Sequence, residues 1–267
     1  MPAADQSLKN EVAAQPAAEP EPPPLPVSWR RRWVNNLLII PLFALATAFF
    51  GSISLICGLW DKSGRQQHAI ARIWAGCLLR IGFSPVTVEH AERCPAGAAV
   101  YACNHLSYYD TPVLFAKLPF QFRILAKAGL WKVPFIGWYL NRSGQVPIDQ
   151  SSARAGVVSL ARGARALEAG MPLVIFPEGG RAAKGELQPM AAGAAWMAIK
   201  AQAPLVPLTL VGTYEMLPIH CYALKPRPLK LIVGEPISTE GMNTRQAEEL
   251  TARLHAVIHQ TYVAEQG

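Results

Sequence analysis

Residues Val34 to Trp60 form a run of 27 without a charged side chain, preceded by Arg30-Arg31-Arg32 and bounded by Trp33 and Trp60. About 20 apolar residues span the hydrocarbon core of a bilayer, and tryptophans with cationic flanks are typical interface anchors. Soluble core helices seldom run this long without a charge, so the run predicts a membrane segment. It does not read as a secretory signal, because it is too long and comes after a polar leader. Pro41 and Gly51-Ser52 are expected to interrupt it. A second, partly apolar segment from Ala69 to Phe83 comes after the polar turn Asp61-Lys62-Ser63-Gly64-Arg65. Two arrangements fit, a single span or a helical hairpin dipping into one leaflet. The positive-inside rule puts Arg30 to Arg32 in the cytoplasm, so a full span would carry everything after Trp60 outside. The five cysteines, Cys57, Cys77, Cys94, Cys103 and Cys221, show no CxxC spacing and argue against an oxidised framework. The expectation is a monotopic anchor at the membrane, the inner one in a bacterium, with the main domain facing the cytoplasm.

Charge and composition divide the rest. Residues 1 to 28 hold one Lys against four acids, with seven prolines, many alanines and few large apolar groups. Such a segment cannot bury enough surface to offset ordering, which predicts a disordered Pro/Ala-rich leader over 1–28. The whole chain carries +7, and residues 29 to 267 hold 24 bases against 14 acids, or +10. That balance admits nucleic acid, an anionic membrane surface or phosphorylated substrates. The uncharged run selects membrane lipids. The arginines are not interleaved with a recognisable recognition module, so no nucleic-acid partner is expected.

From residue 85 onward short apolar runs alternate with helical patterns. Val86 to Glu89, Ala98 to Cys103, Phe122 to Ala126, Gln145 to Ile148, Leu173 to Phe176, Leu205 to Leu210 and Leu229 to Val233 read as strands. Helices are predicted near 108–118, 130–140, 152–169 and 189–202, with a terminal amphipathic helix over 244–263 that buries Ala247, Leu250, Leu254, Val257 and Ile258. The fold class this implies is α/β, a mixed and largely parallel sheet flanked by helices, with an N-terminal membrane-embedded helix or helical hairpin. The expected division is leader 1–28, anchor 29–83 and main α/β domain 84–267. His255 and His259 lie one turn apart without a carboxylate or cysteine partner nearby, so no metal site is expected.

Two strings carry chemistry. In Asn104-His105-Leu106-Ser107-Tyr108-Tyr109-Asp110, a histidine and an aspartate five residues apart come directly after the predicted strand 98–103 and lead into a helix. Strand-to-helix turns are where α/β proteins place functional groups. An imidazole can take a proton from an alcohol near neutral pH, and a carboxylate can fix its tautomer. Alone, the pair reads as readily as a hydrogen-bonded structural histidine. The second string, Phe176-Pro177-Glu178-Gly179-Gly180-Arg181, is a strand ending in a turn whose glycines let backbone approach a ligand. Arg181 adds a planar fork suited to phosphate. By itself this string also describes a Gly-rich hairpin with a surface ion pair.

Together, in this order, the strings resemble the 1-acylglycerol-3-phosphate O-acyltransferase (lysophosphatidic acid acyltransferase) family of the glycerolipid acyltransferase superfamily. NHLSYYD is similar to that family's NHxxxxD motif and FPEGGRA to its FPEGTRS motif. Lys127 in Ile124-Leu125-Ala126-Lys127, ahead of Val133-Pro134-Phe135-Ile136-Gly137, is similar to its lysine block, and Val206-Pro207-Leu208 with Gly212 to its last block. The chain departs where Gly144 to Gln150 ends in Gln150 instead of an arginine, and where Gly180 and Ala182 replace two hydroxyl residues.

The resemblance implies transfer of a fatty acyl group from acyl-CoA or acyl carrier protein to the free hydroxyl of 1-acylglycerol-3-phosphate, giving phosphatidic acid for phospholipid biosynthesis, with no cofactor or metal. In that scheme His105 takes the proton and Asp110 orients it. Lys127, Arg181 and Arg154 hold the acceptor phosphate. Glu178 bonds the glycerol or positions Arg181, and Gly179 lets the backbone come close. Asn104 and Ser107 support the turn, and no GxSxG elbow marks Ser107 as a nucleophile. Gln150 keeps open a different acceptor, such as lyso-ornithine lipid or another lysophospholipid. A rival of another class is a non-catalytic lipid-binding membrane protein.

Overall fold

The central strands are short and mainly apolar on both faces, as in Val100-Tyr101-Ala102-Cys103 and Leu173-Val174-Ile175, the pattern of strands covered from both sides in a parallel sheet. The computed structural model describes residues 28–266 apart from 134, 183–184, 220 and 222, so the expected leader, except Ser28, lies outside the described residues. Among the described residues, β1 (Val86–Glu89), β2 (Val100–Cys103), β3 (Arg123–Lys127), β4 (Val146–Ile148), β5 (Leu173–Ile175), β6 (Leu205–Val211) and β7 (Leu229–Val233) form one sheet in the order β1-β7-β6-β2-β5-β3-β4. The strands β6, β2, β5, β3 and β4 run parallel, while β7 is antiparallel to β6 and β1 runs parallel to β7. The carboxyl ends of five strands therefore share one edge.

Alternation along the strands sends two sets of side chains to two helical layers. Tyr101, Cys103, Val174 and Ile124 pack with Ile39 of α1 (Trp29–Cys57), Ala71, Ala75 and Leu79 of α2 (Arg65–Ile81), and Val113 to Phe115 of α3 (Asp110–Lys117). Val100, Ala102, Leu173 and Ile175 face Leu160 and Leu167 of α5 (Ala153–Glu168), Ala194 to Ile199 of α6 (Gly193–Lys200), and Leu250, Leu254 and Ile258 of α8 (Ala247–Gln266). Two shorter helices complete the set, α4 (Ile136–Arg142) and α7 (Thr213–Met216). The terminal helix starts at an Asn243–Gln246 capping box and buries Tyr262 in addition to the expected stripe, whereas Val257 is only half-buried.

Pro41 does not interrupt α1. Residues Asn35–Ile39 form a π-helical turn ahead of it, in which Ile40 N–H bonds Asn35 O, and the helix continues through Gly51-Ser52 to Cys57. One wider turn removes the clash and the missing donor that a proline brings to regular α-helix. Among the described residues this is the one helix long and apolar enough to cross a membrane. It folds back through the 58–64 turn so that α2 lies along it. Trp74 Nε1 donates to Thr47 Oγ1 at 3.1 Å and Gln67 Nε2 to Ser54 O at 3.2 Å. The turn is tied to the sheet by the buried Arg123, whose Nη2 donates to Ser63 O at 2.7 Å.

Candidate active site at the carboxyl edge

The turn after β2 is held from four directions. The Asn104 side chain donates to Leu210 O at 2.9 Å and accepts from Leu210 N–H at 2.7 Å, extending the β2–β6 pairing by one amide after β2 has ended. Ser107 Oγ donates to Leu217 O at 2.6 Å and accepts from Tyr109 N–H at 3.1 Å. Tyr109 Oη donates to Leu78 O of α2 at 2.9 Å, and its ring meets Phe43 of α1 at 6.0 Å. Ser107 and Asn104 are fully enclosed and have backbone partners.

Asp110 opens α3 and is completely buried. Its Oδ2 accepts from Leu106 N–H at 2.7 Å, Ser107 N–H at 2.8 Å and His105 Nδ1 at 2.8 Å. With Oδ2 accepting from two backbone amides as well, the His105 contact is made with Nδ1–H as the donor. The His105 lone pair then lies on Nε2, which has no hydrogen-bond partner among the described residues. The imidazole is stacked on Phe176, centroids 3.9 Å apart and planes 15° apart. Ring plane, tautomer and direction are thereby fixed, the arrangement a general base needs.

The turn after β5 clasps the same residue. Glu178 Oε1 accepts from His105 N–H at 2.8 Å, its Oε2 accepts from Gln188 N–H at 2.9 Å, and Ala182 N–H donates to His105 O at 3.0 Å. Burial pushes the Glu178 carboxyl up from 4.5 to about 7, with the Asp110 charge adding to the rise and the two amide bonds opposing it. Its visible task thus differs from the expected contact with glycerol or Arg181: it is a clamp between backbone segments. Arg181 instead lies over the Tyr108 ring, 3.9 Å from guanidinium carbon to centroid, with its side chain exposed. Gly179 sits at φ +69°, which a side chain would strain, and the Gln150 amide lies 3.6 Å from where its Cβ would be.

Lys127 ends β3, two strands from β2, and is exposed at the same edge. At about 4.8 Å per strand the lateral offset is roughly 10 Å. Arg154 lines a separate groove with Asp149, Ser152, Val158, Ser159 and Arg162, beyond β4. His105, Asp110, Glu178, Gly179 and Arg181 are brought together, Lys127 flanks them, and Arg154 does not join this cluster. Phe176 and Tyr108, one against each functional side chain, were missed as partners. Their signal was an aromatic residue within each of the two strings.

A segment carrying both turns, residues 85–211, matches the protein-family model described as Acyltransferase, which sets the class. The chain is 31% identical over 235 residues to a 1-acyl-sn-glycerol-3-phosphate acyltransferase of Chlamydomonas reinhardtii, covering 78% of this chain and 70% of that one. It is 30% identical over 216 residues to the enzyme of that name from Helicobacter pylori, covering 79% and 88%. The chain belongs to the 1-acyl-sn-glycerol-3-phosphate acyltransferase family. It spans 66% and 64% of the length of the chloroplastic relatives from Brassica napus and Arabidopsis thaliana. Its fold is that of the 1-acyl-sn-glycerophosphate (LPA) acyltransferase PlsC from Thermotoga maritima, with a TM-score of 0.75 and 23% identity over 89% of this chain and 98% of that one.

Proposed function

We propose that the protein acylates the free hydroxyl of 1-acylglycerol-3-phosphate, taking the acyl group from acyl-CoA or acyl carrier protein and producing phosphatidic acid. The observation that carries this reading is His105, oriented through Nδ1 by Asp110 with Nε2 unoccupied, beside a glycine turn that bears an arginine. Nε2 removes the proton as the hydroxyl attacks the thioester carbonyl. The tetrahedral intermediate collapses with loss of thiolate, and the imidazolium returns its proton to the leaving sulfur. The imidazolium formed in between is balanced by Asp110. Arg181 and Lys127 supply the cations for the acceptor phosphate. The amides of Gly180 and Arg181 have no hydrogen-bond partner among the described residues, and they are donors available to a developing oxyanion.

In this reading residues 29–83 are the membrane anchor and 84–267 the catalytic domain, which stands on the cytoplasmic side. Support comes from the outer face of α1, where Trp29, Trp33, Leu37, Leu45 and Phe49 are exposed while its inner face is bonded to α2. A lysolipid and its product stay dissolved in the bilayer, so a site moored there avoids moving acyl chains through water. The test is acyl transfer by detergent-purified protein to a panel of lysolipids, with His105→Ala as control. Transfer to lysophosphatidate should fall by about 10²–10⁴ in the variant with the melting temperature kept. Near wild-type turnover by the variant would remove His105 from the chemistry, and a preference for lyso-ornithine lipid would reassign the acceptor.

A further inference from the structure

From the end of β3 into the first turn of α4 the chain leaves five large apolar side chains at the surface within nine residues: Leu130, Val133, Phe135, Ile136 and Trp138. Phe135 and Trp138 are 63% and 55% exposed, and their rings pair with each other, centroids 5.0 Å apart, instead of entering the core. Monomeric soluble surfaces carry scattered apolar residues, but a contiguous aromatic patch marks an interaction site. The backbone also works against chain preference to display it. Phe135 has φ 62° and ψ −52°, a conformation side chains rarely adopt. The patch is firmly mounted, because a Cβ at Gly137 would collide with the Trp131 carbonyl of the preceding 3₁₀ turn.

Its neighbours say what covers it. Helix α4 packs against the second half of α1, and Arg142 Nη1 donates to Gly58 O at 3.1 Å just past the end of α1. There Ile56, Leu59 and Trp60 are exposed as well, so the apolar surface of α1 continues onto this segment. Cations predominate around it, with Asp149 the acid that lies near Lys132. From Lys127 to Arg142 there are three cations, Lys127, Lys132 and Arg142, and no acid. From Arg30 to Arg80 the single acid is Asp61, whose carboxylate is taken up by Ser63 Oγ and the amides of Gln66 and Gln67. Exposed aromatics flanked along the chain by an excess of cations match the interface of an anionic leaflet.

We infer that residues Leu130–Trp138 form a second membrane-insertion element, which enters an anionic phospholipid leaflet next to α1 and holds the Lys127 side of the site against the lipid surface where lysolipid enters. The inference rests on the reading of α1 as an anchor and of a lysolipid as acceptor. The two insertions, one a long helix and one a short aromatic loop, set the orientation of the carboxyl edge, which one helix lying in the interface leaves free to roll.

The test uses the full chain and the Phe135→Ser/Trp138→Ser variant, whose altered side chains lie outside the core. Activity is compared between long-chain lysophosphatidate in phosphatidylglycerol/phosphatidylethanolamine vesicles and a short-chain lysophosphatidate dissolved as monomers. The expected result is a KM raised on the order of tenfold in vesicles, with kcat/KM for the monomeric substrate unchanged. Equal KM values in vesicles, or the same loss with both substrates, overturn the inference. So does a dimer of the wild type that the variant dissolves, since the patch would then be covered by a second copy. If neither protein acylates any lysolipid, the functional reading fails, and vesicle co-sedimentation decides the patch alone: weaker binding by the variant supports it and unchanged binding overturns it.

Discussion

The two turns that meet at the carboxyl edge are built in opposite ways. Along 104–110, Asn104, Ser107 and Asp110 are completely buried and bonded to backbone, and the imidazole is pinned by a carboxylate and an aromatic face. Along 176–182, two glycines bend the chain, Arg181 reaches into solvent over Tyr108, and two amides have no partner among the described residues. A proton-transfer group must be placed to a fraction of an ångström, whereas a phosphate grip has to admit and release a charged headgroup. The closed turn is suited to chemistry and the open one to recognition, and they are joined because the second clasps both the N–H and the carbonyl of His105.

If that division of labour holds, changes in the closed turn act on turnover and changes in the open turn act on KM. Asp110→Asn keeps the shape but removes the charge that steadies an imidazolium. The expected loss in kcat is about 10³–10⁴. A loss below tenfold would show that Phe176 alone orients the ring. Arg181→Ala should raise KM for lysophosphatidate by roughly 10–100-fold while kcat changes less, as for removal of one charged hydrogen-bonding partner. Steady-state kinetics in mixed micelles separates the two numbers, and a kcat loss as large as that of Asp110→Asn would erase the distinction between the turns.

The smallest effect belongs to Glu178, the residue shared by both turns. Burial raises its carboxyl from 4.5 to about 7, so the folded chain binds that proton more tightly than the unfolded one. Its contribution is complete below about pH 4.5 and is lost as pH rises to about 7. Glu178→Gln lowers stability at every pH by setting an amide NH₂ against a backbone N–H. It should also flatten the fall in melting temperature between those pH values by a few degrees. Parallel melting curves for the two proteins across that range would mean the Glu178 carboxyl does not change its proton affinity on folding.

Much of the scaffold was readable because strands covered on both faces are written as unbroken apolar runs. Leu173 to Phe176 announced β5, while the edge strand β1, Val86-Thr87-Val88-Glu89, was legible from its alternation at its observed ends. The helix through Pro41 was not readable in the same way. A π turn five residues long is chosen by the packing of Asn35 and Ile39 into the domain, where Asn35 Oδ1 accepts from Leu224 N–H, and no local pattern states that. At the site, residue types in series pointed to His105 and Asp110, which the fold places in hydrogen-bond contact. The clamp by Glu178, the Phe176 stack and the Tyr108 platform under Arg181 join residues about seventy positions apart, and they exist only once β2 and β5 are neighbours. Arg154 illustrates the converse. The resemblance gave it a place at the acceptor phosphate, and the structure puts it on α5, lining a groove with Asp149, Ser152 and Arg162.

Asn104 leaves one consequence for the ageing of the protein. Its side chain acts as a surrogate peptide group, donor on one side and acceptor on the other, locked onto Leu210. Hydrolysis of that amide to an acid would set an oxygen against the Leu210 carbonyl and pry apart β2 and β6 immediately before His105. The reaction begins when the next backbone nitrogen folds back onto the side-chain carbonyl. Here that nitrogen is already committed to Glu178, and the amide is sealed from water. The same bonds that hold the histidine in place thus shield the asparagine ahead of it from chemical decay, and the lifetime of the site is tied to its rigidity.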